Sequence, residues 1–253
     1  MPLFVGGPIA SAISSADMAQ PLILYELGLV PYGPAHRLQQ ELLEQRRTDQ
    51  IGDLALLLEH DPVLTLGRRA DPTHILVSES ELARRGIVMH KVERGGDVTY
   101  HGPGQLVIYP ILRLRDHGLG ASDYMHLLEE VIIATLADYG IAAGRRDRLI
   151  GVWVGHNKIA ALGVRVRRGI TMHGLALNVA PDMDHWGLIV PCGIRDGGVT
   201  SMALELDRAP TVAQVGQRLA AHLASALGMI AHAGDPSDLP TPEPMAGDAP
   251  ARP

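Results

Sequence analysis

Cysteine occurs once in the 253 residues, at Cys192 in VPCGIRDGGVTSM, and lysine twice, at Lys91 and Lys158, against 20 arginines. A lone cysteine is commonly a small buried hydrophobe. Here Pro191 and Gly193 flank it as in a loop, and the pair Gly197-Gly198 nearby lets backbone approach a ligand closely. The other reading is a nucleophile. An unperturbed thiol has a pKa of about 8.5, so roughly 3% is thiolate at pH 7, and something must lower that pKa. Twelve histidines are available as partners, and so is Lys158, which opens the second strand of GVWVGHNKIAALGVRV. In a chain whose usual cation is arginine, Lys158 is either a solvated strand-end residue or a side chain that has to surrender a proton, which a guanidinium does not do. A charge 4 Å away contributes about 4 kcal/mol at an effective dielectric of 20. Lowering a thiol pKa by about 1.5 takes only about 2 kcal/mol. A cysteine and a lysine brought together would therefore form a working pair even after desolvation.

Two further segments suit binding. In RGGDVTYHGPGQ (residues 94–105), Gly95-Gly96 permits a nest of amide N–H groups, Arg94 stands beside it as an anion or carbonyl clamp, and His101 precedes the turn Gly102-Pro103-Gly104. In GVRVRRGITMHGLALNV, Gly163 and Gly174 interrupt strands, which glycine weakens unless backbone or ligand comes close. His173 reads as a core histidine. GxGxxG and GxxxxGK[ST] are both absent, so neither a dinucleotide fingerprint nor a P-loop is present. No metal site is expected either, because HExxH is missing and the histidines are scattered.

The elements that must position these residues alternate between two periods. PLILYEL (21–27) reads as a strand, and 35–47 places leucines on one helical face. Residues 53–67 read as strand, turn, strand. Ser78 and Glu81 fit a capping box for a short helix ending at Gly86. IVMHKVE and QLVIYPILRL read as strands around a glycine-rich connection. Residues 123–139 form the clearest helix; strands follow near 150–154, 158–166 and 172–179. Thr211 and Gln214 then cap a helix to about Leu227. Hairpin-spaced strands with helices between them point to an α+β domain. Its expected span is 21–230, with disordered ends at 1–20 and in the proline- and acid-rich 231–253.

Composition narrows the partners. A hydrophobic content of 46% with 20% charged residues is that of a soluble globular enzyme, and a net charge of −6 argues against nucleic acid. No apolar run approaches the roughly 20 residues of a membrane span. The N-terminus lacks the pattern of a signal peptide, and a single cysteine allows no internal disulfide, as in a reducing compartment. The expected location is the cytoplasm.

Taken in order, RGGDVTYHGPGQLVIYPI, KIAALGVRVRRGITMHGLALNV and PCGIRDGGVTSM resemble the lipoyl(octanoyl) transferases over roughly 22–227. The resemblance implies the catalytic-domain fold of the biotin/lipoate protein ligases, a mixed, mostly antiparallel sheet flanked by helices. It also implies transfer of an octanoyl group from acyl carrier protein to a lysine of lipoyl domains, those of 2-oxoacid dehydrogenases and the glycine cleavage H protein. The family's nucleophilic cysteine falls on Cys192 and its pKa-lowering lysine on Lys158. Its substrate-contacting segments fall on Arg94, Gly95, Gly96, Asp97, Val98, Thr99, Tyr100 and His101, on Ala161, Leu162 and Gly163, and on Gly174, Leu175 and Ala176. The acyl group would arrive on the carrier's phosphopantetheine, with no ATP and no metal required. The rival readings are an ATP-dependent lipoate or biotin ligase of the same fold, an acyl-thioester hydrolase, and a non-catalytic acyl- or carrier-binding module.

Overall fold

PLILYELGL forms the first strand, β1 (Pro21–Leu29), of the larger of two sheets. The computed structural model describes residues 20–190 and 197–241. After α1 (Tyr32–Arg47) come β2 (Leu54–Glu59), β3 (Val63–Leu66), α2 (Glu79–Arg84), β4 (Val88–Lys91), β5 (Val98–His101) and β6 (Gln105–Ile111). Helix α3 (Ala121–Asp138) leads to β7 (Gly144–Arg146), β8 (Leu149–Val154), β9 (Asn157–Arg167) and β10 (Ile170–Asn178). The chain closes with α4 (Met202–Glu205), α5 (Val212–Ala226) and β11 (Ile230–Ala233).

Eight strands make one sheet in the order β11-β1-β2-β6-β10-β9-β8-β7, and β4-β3-β5 make a smaller one. In the large sheet β1 runs parallel to β2 and β11, and every other pairing is antiparallel. This is the expected mixed, mostly antiparallel α+β architecture. The central strand β6 is buried along its whole length because both faces are covered. With the two-residue period of a strand, Leu106 and Ile108 face α3 and α5 (Leu128, Ile132, Leu219, Leu223), whereas Val107, Tyr109 and Ile111 face α1 (Leu38, Leu42, Leu43).

Local signals set most boundaries. The box at α5 forms in full: Gln214 N–H donates to Thr211 Oγ1 at 3.2 Å and Thr211 N–H to Gln214 Oε1 at 2.9 Å. At α2 only half forms. Ser78 Oγ accepts from Glu81 N–H, but the Glu81 carboxylate turns to Arg85 at 2.7 Å. Residues 53–67 are strand, turn, strand as expected, with β2 and β3 in different sheets. Two expectations change. The glycine-rich connection after β4 itself contains β5. The boundary at 230 also moves, because β11 pairs with β1 from Pro21↔Ile230 to Leu24↔Ala233 and a short turn follows at Pro236–Asp238. All four β11 side chains are exposed. That strand is held by backbone hydrogen bonds to a sheet edge, which leave no apolar pattern to read.

A buried ionic knot ties α1 to the sheet. Asp53 accepts from Arg46 Nε at 2.6 Å, His117 Nε2 at 2.6 Å and Arg113 N–H at 3.0 Å. Burial pushes the Asp53 pKa upward, but the hydrogen bonds from His117 and Arg46 outweigh it and hold the carboxyl below its ordinary value. The hydrogen bond to Asp53 raises His117. The contribution of Asp53 is therefore present above the ordinary carboxylate range and lost as pH falls through its depressed folded-state value. That of His117 is present below about pH 6.5 and lost as pH rises through its raised value. Asp53→Asn is expected to lower stability by about 2–4 kcal/mol near pH 6 and to flatten both flanks of the thermal-stability profile; unchanged flanks would assign them to other groups.

Candidate active site

Lys158 is the second residue of β9, and its backbone is flanked on both sides, by Trp153 of β8 and by residues 198–200. Its N–H donates to Gly198 O at 2.9 Å, and its carbonyl accepts from Thr200 N–H at 2.9 Å. Asn157 Oδ1 also accepts from Gly198 N–H at 3.1 Å. Residues 198–200 thus run beside the start of β9, bridged in parallel at Lys158↔Val199. The Lys158 side chain is not a solvated strand end, since it is only 6% exposed. It lies over Gly151, where a Cβ would come within 2.5 Å of Lys158 Cε, and its Nζ sits 5.2 Å from the centre of the Trp153 ring. Cys192 lies outside the described residues. Val190 and Gly197, the residues on either side of the segment that contains it, line the same cleft as Lys158.

A second cleft meets the first at Lys158 and is lined by Gly95, Gly96, Asp97, Leu162 and Gly163, with Arg69 and Arg148 among its other lining residues. Past Gly96, Leu162 and Gly163 it continues as a narrow cavity bounded by Tyr32, Arg94, Thr99, His101, Tyr109, Ala161, His173 and Gly174–Ala176. Two segments far apart in the sequence become one surface here, because β9 and β10 pair in the register Ala161↔Ala176, Leu162↔Leu175, Gly163↔Gly174. Directly opposed residues of an antiparallel pair share a face. Ala161, Gly163 and Ala176 therefore supply a floor with almost no side chain.

The strand kinks at the edge of that floor. His173 has φ +57°, and the pairing of β10 with β6 begins only at Leu175. The His173 N–H is satisfied by Gln39 Oε1 of α1 at 2.7 Å. Gly174 then passes so close to Ile108 O that a Cβ would overlap it. Glycine is required by that contact, not by a turn.

The Arg94 guanidinium is buried and engaged. It donates to Thr65 Oγ1 at 3.2 Å and to Gly95 O at 2.9 Å, so it shapes the glycine loop against β3 while lining the cavity. Gly95 N–H donates to Val164 O at 3.2 Å and fixes the same loop to β9. Asp97 accepts from Asp71 N–H at 3.0 Å and pairs with His74, holding the 71–74 turn. His101 donates from Nδ1 to Gln105 Oε1 at 2.7 Å. Burial, with His60 nearby, lowers its pKa to about 3, so it is a neutral wall of the cavity at pH 7. Val98 and Tyr100 lie on the opposite face of β5, packed with Leu64 and Trp186, and Tyr100 O–H bonds His185 Nδ1 at 2.7 Å. Strand alternation divides that run of eight: Thr99 and His101 line the cavity, and Val98 and Tyr100 do not.

The lipoyl protein ligase A/B catalytic domain family matches residues 31–224. The chain belongs to this family. It is 52% identical over 205 residues to an octanoyltransferase of Chloroflexus aggregans, an alignment spanning 80% of this chain and 93% of that protein. With an octanoyltransferase of Acidobacterium capsulatum it shares 48% over 204 residues, spanning 76% and 83%. Lipoate-protein ligase A bound with ATP superposes with a TM-score of 0.66 at 15% identity, covering 86% of this chain and 88% of that one. A bipartite lipoate protein ligase from Thermoplasma acidophilum, studied with its E2 lipoyl domain, gives 0.65 at 16%, covering 87% and 89%. At such identities the likeness speaks for the fold alone, which is the lipoate-ligase catalytic fold expected from the motifs.

Several lining residues of this family member carry no local sequence signal. Tyr32 opens α1, Tyr109 sits in mid-β6, and Arg69 and Arg148 lie in loops. Tyr109 O–H donates to His60 Nε2 at 2.7 Å, whose Nδ1–H in turn donates to Val30 O at 2.7 Å. Burial lowers His60 to about 4, which makes this chain of donors uncharged at neutral pH. No helix among the described residues is long and apolar enough to cross a membrane.

Proposed function

We propose that the chain moves an octanoyl group from the phosphopantetheine thioester of acyl carrier protein to a lysine of lipoyl domains, by way of a thioester on Cys192. The observation that carries this reading is the near-half identity to octanoyltransferases along almost their full length, joined to a buried lysine at the junction of a cleft and a narrow cavity. In the first step the Cys192 thiolate attacks the acyl carbonyl and the carrier's thiolate leaves, taking a proton from the Lys158 ammonium. In the second, the acceptor lysine attacks acyl-Cys192, its amine proton passes to neutral Lys158, and an amide replaces the thioester. The acyl chain lies in the narrow cavity over the Ala161–Gly163 floor, gaining about 0.8 kcal/mol per buried methylene. The first step, a thioester exchange, is nearly balanced, and formation of the stable amide in the second draws the sequence forward without ATP or a metal ion. The acceptors are the lipoyl domains of 2-oxoacid dehydrogenases and the glycine cleavage H protein, and the setting is the cytoplasm.

The deciding assay mixes the chain with octanoyl-carrier protein and a lipoyl domain in the absence of ATP. Intact mass is expected to show one octanoyl group on the acceptor. Transfer that occurs only from free octanoate with ATP would make the chain a ligase, and release of free octanoate would make it a hydrolase.

The donor side is served by charge. Arg69 and Arg148 are exposed and line the second cleft together with the exposed apolar Ile150, and Arg68 is exposed next to Arg69 in the chain. An acidic carrier docked there delivers its arm toward Lys158. Arg69→Glu with Arg148→Glu is expected to raise KM for the carrier about tenfold with little change in kcat, and to weaken its dependence on ionic strength. An unaltered KM would place the docking surface elsewhere.

A further inference from the structure

Three separate elements bring together His36 on α1, Glu93 just after β4 and His173 at the kink of β10, the last of which lines the narrow cavity. One donor atom of each lies within 4.8 Å of the others, and among the described residues no other group of three possible metal ligands is so close. Their polar atoms are unsatisfied. His36 Nε2, Glu93 Oε2 and His173 Nε2 are each buried without a hydrogen-bond partner, and the His173 residue is 2% exposed. His36 Nε2 and Glu93 Oε2 stand 3.3 Å apart without the alignment of a hydrogen bond. Two ligands on a tetrahedral zinc ion, with bonds of about 2.0–2.1 Å, stand about 3.3 Å apart. The two imidazoles are stacked with centres 5.5 Å apart.

We propose that His36, Glu93 and His173 form a binding site for one divalent transition-metal ion of the zinc class. Two imidazole nitrogens and one carboxylate oxygen are the donor set such an ion takes, with a fourth position left for water or a cavity ligand. Arg165 lies 3.4 Å from Glu93 Oε1, the carboxylate oxygen that the site does not need. The kink itself is part of the site: the positive φ at His173 and the Gln39 contact to its backbone set the base of the ring. The ion takes no part in the acyl transfer proposed above, and its site stands independently of that reading. It joins α1, the β4–β5 loop and β10, so occupancy should stabilise the fold.

The test uses the full chain, stripped with a chelator and dialysed. Titration with Zn²⁺ followed by calorimetry is expected to give one equivalent bound at micromolar affinity or tighter, with a rise in melting temperature. Co²⁺ is expected to give the intense visible bands of a low-coordinate nitrogen–oxygen site. The isosteric Glu93→Gln and the truncation His36→Ala should each weaken Zn²⁺ at least tenfold and dim the Co²⁺ bands. Metal-free melting temperatures establish that both variants are folded. No saturable binding by the parent chain, or binding equally tight in the His36→Ala/Glu93→Gln double variant, would overturn the proposal.

Discussion

Cys192→Ala is expected to eliminate octanoyl transfer, by a factor of about 10⁴ or more, and to leave no octanoyl mass on the protein after exposure to octanoyl-carrier alone. The magnitude follows from the two-step route. Without the sulfur the acceptor amine would have to attack the carrier thioester directly, with no covalent intermediate holding the acyl group in place. The thioester readout separates chemistry from folding, since a folded variant still bound to the carrier would give normal association and no adduct. Transfer persisting in Cys192→Ala would move the nucleophile elsewhere and with it the whole proposed mechanism.

Lys158→Arg is expected to lower kcat by about 10²–10⁴-fold while the protein remains folded. Charge is retained in this variant, so a purely electrostatic role for the lysine predicts a small effect. Two features argue for a large one. A guanidinium does not give up its proton near neutral pH, so it cannot serve the leaving thiolate and then receive the acceptor's proton. The space is also made for a slender chain: Lys158 Cε lies where a Cβ on Gly151 would be, and the side chain is enclosed with Trp153 beside it. Lys158→Met, which fills that channel without charge, should be at least as slow. If Lys158→Arg transfers octanoyl at near-parental rates and Lys158→Met does not, the amine acts by its charge alone.

The two lysines illustrate what was legible in advance. Lys158 stood out by residue choice in an arginine-rich chain, and the structure puts it in an enclosed position beside Trp153. The RGGD, ALG and GLA segments were recognisable as motifs because each is local, and Gly174 reports a backbone approach that a side chain would block. What those motifs did not disclose was their mutual register. Nothing in ALG or GLA says that Gly163 faces Gly174, yet that pairing turns two short strings into one floor. The same limit separates Val98 and Tyr100 from Thr99 and His101, because only the location of the core tells which face of β5 is inside.

By itself, the amino-acid sequence determined the alternation of strands and helices, the α5 cap, the kinds of side chain available for acyl chemistry and the family to which the chain belongs. These are properties of neighbours along the chain: periodicity, turn chemistry and residue type act over a few residues. The tertiary structure alone decided that β11 extends the sheet edge, that Arg94 is spent on Thr65 and Gly95, and that His36 and His173, far apart in the chain, cluster with Tyr32 and Tyr109. Contacts of that kind join residues tens of positions apart. Their free energy comes from packing and backbone pairing across the whole domain, which no short window of sequence contains.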